Sequence, residues 1–164
     1  MDKTELIKRP IEKELGEFRE LFESSLESSN PLLGEVLSYI RKRNGKMMRP
    51  ILVMLMAKLF GHINSSTLHV ALSLELLHTA SLVHDDVVDE SDERRGQSSV
   101  NAVYNNKISV LVGDYMLATS LWHAAHTGKS RAGGTGCRLG QLCRKARLFN
   151  WLISVTAIFG RHLF

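Results

Sequence analysis

Two stretches of about twenty residues, Thr67–Val88 and Lys107–His126, consist mostly of Leu, Ala, Val, Ser and His and are apolar around most of a helical circumference. Such helices need neighbours on several sides, so they must form the centre of a helical bundle. The rest of the body follows the same period. Thr4–Leu26 sets Leu6, Ile7, Ile11, Leu15, Phe18, Leu21, Phe22 and Leu26 three and four apart, which predicts one buried stripe. Pro10 marks its true start or a kink. Ser28–Asn30 forms a turn before Pro31, a residue suited to a first helical position, and Leu32–Arg43 follows as the second helix, ended by Asn44–Gly45. Arg49–Pro50 opens a third, Ile51–Phe60, expected to be central and closed by Gly61. Asn64–Ser66 caps the long helix. Glu90–Gln97 is a charged loop and Ser98–Tyr104 a short helix. No useful strand alternation and no internal repeat occurs, so 164 residues predict one all-α body.

Charge divides the chain into two parts. Residues 1–128 hold fourteen Lys and Arg against all 17 acids, a net charge of −3. Residues 129–164 hold seven Lys and Arg and no acid, together with both cysteines, Cys137 and Cys143. The basic character is therefore a property of the tail. The C-x5-C spacing, with only His162 nearby, supports neither a disulfide framework nor a zinc site. The glycine cluster after Thr127 lacks the spacing of a nucleotide loop. No apolar run approaches the ~20 residues of a bilayer span. Met1–Arg9 is charged and has no signal-peptide core, so a cytoplasmic location is the expectation.

The stretch from His78 to Gly96 carries the chemistry. On a helix, Asp85 and Asp89 share a face, and Asp86 lies three residues from Asp89. Three carboxylates are thus expected at the C-terminal end of an apolar helix. That end carries partial negative charge and favours cations. Like charges one turn apart also repel, by ~0.2–0.5 kcal/mol per pair. A divalent cation removes the penalty, and an all-oxygen donor set points to Mg2+, with Mn2+ as the alternative. Arg94 and Arg95 offer forks suited to phosphate oxygens. Lys46 and Arg49 form a second cationic pair, and His78 lies nearly on the face of Asp85, ~10 Å away. The arrangement suits a diphosphate with a greasy chain. By composition alone, the same acidic run also reads as a solvated helix end and loop. His84 reads as a core histidine, and Met47, Met48, Met54 and Met56 as core filler.

Gly45-Lys46-Met-Met-Arg49-Pro50, then Glu75-x-x-His78-x-x-x-Leu-x-His-Asp-Asp-x-x-Asp with Arg94-Arg95-Gly96, then Val112-Gly113-Asp114-Tyr115, resemble the trans-isoprenyl (polyprenyl) diphosphate synthase family, in order and at its spacing, over roughly residues 5–128. The resemblance implies an all-α isoprenoid synthase fold, here a truncated helical bundle. It implies that Asp85 and Asp89 hold Mg2+ on the diphosphate of an allylic substrate, with Asp86 in support as a catalytic residue, and that Arg94 contacts that diphosphate. Lys46, Arg49, His78 and Arg95 would hold isopentenyl diphosphate. The implied reaction is loss of diphosphate, attack by the isopentenyl double bond and loss of a proton. The residues five and four before the first aspartate help set product length in this family. Here they are Ala80 and Ser81, both small, which implies a longer polyprenyl product. A homodimer or other self-association is also expected.

The family's second aspartate-rich motif has no counterpart, since no acid follows Asp114. After Thr127–Gly128 the resemblance stops. The chain therefore divides into residues 1–128, the N-terminal part of a synthase domain, and a basic tail, 129–164, that fits a shifted reading frame, a foreign ending or a poorly ordered segment. The chain alone is expected to form little product. Two competing readings are a regulatory subunit that pairs with a complete synthase and a cationic-tail binder of membrane surface or nucleic acid. Peripheral membrane contact through the tail fits the first of these ligands, and nucleic acid is not expected.

Overall fold

The computed structural model describes residues 3–43, 45, 47–94 and 96–127, and these are helical almost throughout. Helix α1 (Lys3–Lys8) runs through a 3-10 turn at Arg9–Ile11 into α2 (Glu12–Ser25), so Pro10 sits at a change of helical geometry, where its missing N–H costs least. Helix α3 (Pro31–Lys42) starts on Asn30, whose Oδ1 accepts from Leu33 N at 3.1 Å. Helix α4 (Met48–Phe60) follows. Helix α5 (Ser65–Val88) opens on a reciprocal cap: Thr67 N donates to Asn64 Oδ1 at 3.0 Å, and Asn64 N to Thr67 Oγ1 at 3.3 Å. Helix α6 (Val100–Tyr104) is capped by Ser99, and α7 (Asn106–His126) by Asn105.

Helices α5 and α7 form the centre, as their apolar circumference requires. Small side chains let them approach closely. Ser120 Oγ donates to Ser73 O at 2.8 Å, which satisfies a hydroxyl that is fully buried. Around this pair close Phe18 and Phe22 of α2, Val36 and Leu37 of α3 and Met54 of α4, all fully buried. Each such side chain contributes about 1.5–3 kcal/mol through the surface it removes from water. Lys58 of α4 donates to Pro10 O and to Glu14 Oε1, which fixes α4 to the start of α2.

Two sequence expectations need correction. Helix α4 is apolar all round but not central: Leu52, Leu59 and Phe60 are 60%, 73% and 80% exposed. Periodicity reports which faces want burial, and the tertiary packing covers only the Ile51 and Met54 side. The charged loop contains a two-stranded antiparallel hairpin, β1 (Glu93–Arg94) with β2 (Gln97–Ser98). Strands this short leave no alternation to read. Gly96, at φ +78°, takes a left-handed conformation in the turn. Among the described residues no helix is long and apolar enough to cross a membrane. The tail expectations for 129–164 lie outside the described residues.

Candidate active site

Helical geometry sorts the acidic run into two faces. Leu74, His78, Ser81, Asp85 and Asp89 follow one another at three- and four-residue intervals, so they form one stripe along α5. Leu74, Leu77, His78 and Ser81 line a groove of about 330 Å³, whose other wall is Arg49, Leu52 and Val53 of α4. Asp85 and Asp89 continue that stripe beyond the groove, and both are exposed. Asp86 does not join them. It is turned about 100° around the helix and is 3% exposed, with Oδ1 accepting from Arg94 Nε at 2.6 Å.

The end of α5 explains how Arg94 arrives there. Glu90 takes a left-handed conformation, φ +50°. Its N–H donates to Val87 O at 3.4 Å, and Ser91 N donates to Asp86 O at 2.9 Å. This is the bonding of a Schellman stop, with glutamate where glycine is usual. The chain then reverses through the hairpin, and Ser99 N donates to Asp92 O at 2.8 Å to close it. Arg94 thereby returns beneath α5 and neutralises the buried Asp86. Three carboxylates at a helix end are thus resolved by separating them: one is buried with a guanidinium, and two are left facing water.

His84 is buried, with Nε2 3.3 Å from both Val110 O and Asp114 Oδ1. Its ring lies on Gly113: a Cβ there would sit 2.3 Å from His84 Nε2. The Gly113–Asp114 pair therefore lets α5 and α7 close together just beneath the acidic end. Ser81 stands on the groove wall, while Ala80 is buried in the core behind it. Arg49 and His78 both line the groove. Lys46 and Arg95 lie outside the described residues.

Two groups carry no role assigned from the sequence, although the first, Glu75, stands in the motif quoted above. Glu75 is 8% exposed, and its Oε2 is buried without a hydrogen-bond partner among the described residues. Burial pushes its carboxyl above the ordinary carboxylate range, and the Arg49 charge partly opposes this. The available signal was a single acid in the apolar stretch of α5 before Asp85. The second group joins His69 and His123, whose Nδ1 atoms are 2.8 Å apart, with His123 Nε2 3.0 Å from Ser25 Oγ. Burial, then the charges of His69 and His126, lower His123 to about 4. Such pairings across helices are invisible to a one-dimensional period.

The donor set fits a hard cation. Asp85 and Asp89 are two exposed carboxylates one turn apart, and Mg2+ is commonly held by one or two carboxylates, substrate phosphates and water. Among the described residues no group of three His, Cys, Asp or Glu gathers as a metal site.

Comparison with known proteins decides the family. The polyprenyl synthetase family model matches residues 30–150. The chain belongs to the polyprenyl synthetase family. Heptaprenyl diphosphate synthase component 2 of Geobacillus stearothermophilus is 39% identical over 123 residues, 74% of this chain and 38% of that protein. The structure of a geranylgeranyl pyrophosphate synthase from Bacteroides thetaiotaomicron is 57% identical with a TM-score of 0.61, covering 78% of this chain and 37% of that one. A Caulobacter crescentus polyprenyl synthase complexed with calcium and isoprenyl diphosphate matches with a TM-score of 0.72 at 28% identity, covering 78% and 39%. This polyprenyl synthetase chain thus has the all-α isoprenoid synthase fold, and it spans well under half the length of these relatives.

Proposed function

We propose that this chain carries the diphosphate-binding half of a prenyltransferase that condenses isopentenyl diphosphate with an allylic diphosphate. The observation that carries the reading is the single stripe on α5 that joins the exposed Asp85 and Asp89 to the groove of Arg49 and His78. Asp85 and Asp89 would hold Mg2+, which when bound neutralises charge on the departing diphosphate. Arg49 and His78, with Lys46 and Arg95, would bind the second diphosphate as cationic donors. Leu52, Val53, Leu74 and Leu77 keep water from the groove. Asp86 and Arg94 support the site as an ion pair, which in this state occupies the arginine that would otherwise meet the allylic diphosphate.

Ser81, small and on the groove wall, favours a longer product. The heptaprenyl, octaprenyl and decaprenyl synthases among the relatives support this, while the geranylgeranyl synthase marks the shorter alternative. The chain alone is expected to form little product, since no carboxylate beyond Asp114 faces the first set. Manganese titration in the presence of inorganic pyrophosphate, followed by electron paramagnetic resonance, tests the reading. One ion should bind, and D85N/D89N should abolish it; unchanged binding in that variant refutes the site.

A second reading is a subunit that pairs with a complete synthase. It is favoured by the exposed Leu59, Phe60, Leu111 and Trp122 and by a relative named as one component. Turnover that appears only when a full-length synthase is added supports it.

A further inference from the structure

We propose that Glu75 is a positioning residue for the anion clamp: its unpartnered carboxyl oxygen receives the Arg49 guanidinium when a diphosphate enters the groove between α4 and α5. The inference rests on the functional reading above, because it takes that groove to be a diphosphate site.

A buried carboxyl oxygen with no donor is costly, and native structures rarely tolerate one without a purpose. Glu75 is more than nine-tenths buried, and Oε2 has no partner among the described residues. It follows Leu74 and precedes His78 by three residues on α5, so it is buried behind the two groove-lining residues rather than lining the groove itself. Arg49, on the opposite wall, is the charge that acts on it. Arg49 is itself exposed. A buried acceptor without a donor thus lies behind the groove wall, within range of the charge of a five-donor fork that lines the groove.

The geometry of a guanidinium makes the two needs complementary. One edge of the fork can take phosphate oxygens while the other edge meets a carboxylate. A diphosphate entering the groove draws Arg49 inward and away from water, and its remaining N–H groups then require an acceptor. Glu75 Oε2 supplies one. Before the anion arrives, burial favours the neutral carboxyl. Once the guanidinium docks, the ionised form is favoured, and the proton passes to solvent. Anion uptake is therefore coupled to proton release through Glu75. Neither Asp85 nor Asp89 takes part.

The full chain is titrated calorimetrically with inorganic pyrophosphate and Mg2+ near pH 6, in two buffers of different ionisation enthalpy. E75Q should bind about tenfold more weakly, the worth of one charge-assisted hydrogen bond. It should also lose the part of the proton release that depends on this residue. R49Q should weaken binding as well, and R49Q/E75Q should be no weaker than R49Q alone. E75L, which fills the same space, should behave as E75Q. The proposal is overturned if the folded Gln and Leu variants both bind within twofold of the parent with the same proton release. It is also overturned if both variants lose their helical circular dichroism, since Glu75 then serves only the core. Failure of the unsubstituted chain to bind pyrophosphate removes the functional reading, and this inference with it.

Discussion

Gly113→Ala sets two effects of opposite sign against each other. In a helix interior, alanine is favoured over glycine by about 1 kcal/mol, so propensity alone predicts a more stable protein. The structure predicts the reverse. The added Cβ would lie 2.3 Å from His84 Nε2, 2.6 Å from Cδ2 and 2.9 Å from Cε1, where nonbonded contacts need ~3.5–4.0 Å. The ring must retreat by about 1.2–1.7 Å, and it has little room: it is 7% exposed, with Nε2 beside Val110 O and Asp114 Oδ1. Overpacking of this kind costs about 1–3 kcal/mol, and a disturbed hydrogen bond costs about 0.5–1.5 kcal/mol more. Set against the propensity gain, the net is a loss of about 1–3 kcal/mol. Urea unfolding followed by circular dichroism at 222 nm measures it. The decisive control is the His84→Ala background, where the ring is gone and G113A should stabilise by about 1 kcal/mol. A stabilised G113A single variant, or equal effects in both backgrounds, would refute the packing argument.

Removing Arg94 (R94A) leaves Asp86 buried and unpaired, and should cost about 2–4 kcal/mol in the same unfolding assay; a loss below 0.5 kcal/mol on the order of a surface pair contradicts the ion-pair assignment. D85N and D89N remove like charges at a helix end, so each should raise metal-free stability by about 0.2–1 kcal/mol while abolishing manganese binding; destabilisation would show that these carboxylates are structural. E90G places glycine at the left-handed stop of α5 and should stabilise by about 0.5–1 kcal/mol; no gain speaks against the Schellman geometry. His123 stays neutral in the fold to about pH 4, whereas unfolded it takes up a proton near its ordinary 6.5. The unfolded state therefore binds more protons between those values, so stability should be full above pH 6.5 and fall as pH drops toward 4. After solvent screening the loss is about 1–2 kcal/mol. His123→Gln should flatten that window, and an unchanged pH profile would exclude His123 as its source.

The all-helical class, the order of the main helices, their clearest caps and the two segments at the centre were legible in the sequence. Those properties are local: a cap such as Asn64–Thr67 acts within one turn, and an apolar circumference demands burial whatever covers it. The spacing also put Asp85 and Asp89 on one helical face, with His78 near it. The spacing rule could not separate Asp86 from them. That depended on a chain reversal at Glu90 that returns Arg94 beneath the helix, and a hairpin of two-residue strands has no period to read. The same limit applies to Glu75 and Arg49, to His84 and Gly113, and to His69 and His123. Each pair lies on two different helices, and only the way those helices cross brings them together. Helix α4 shows the limit from the other side. Its apolar circumference is written in the sequence, but which face finds partners was decided by how α4 lies against α5 and α2.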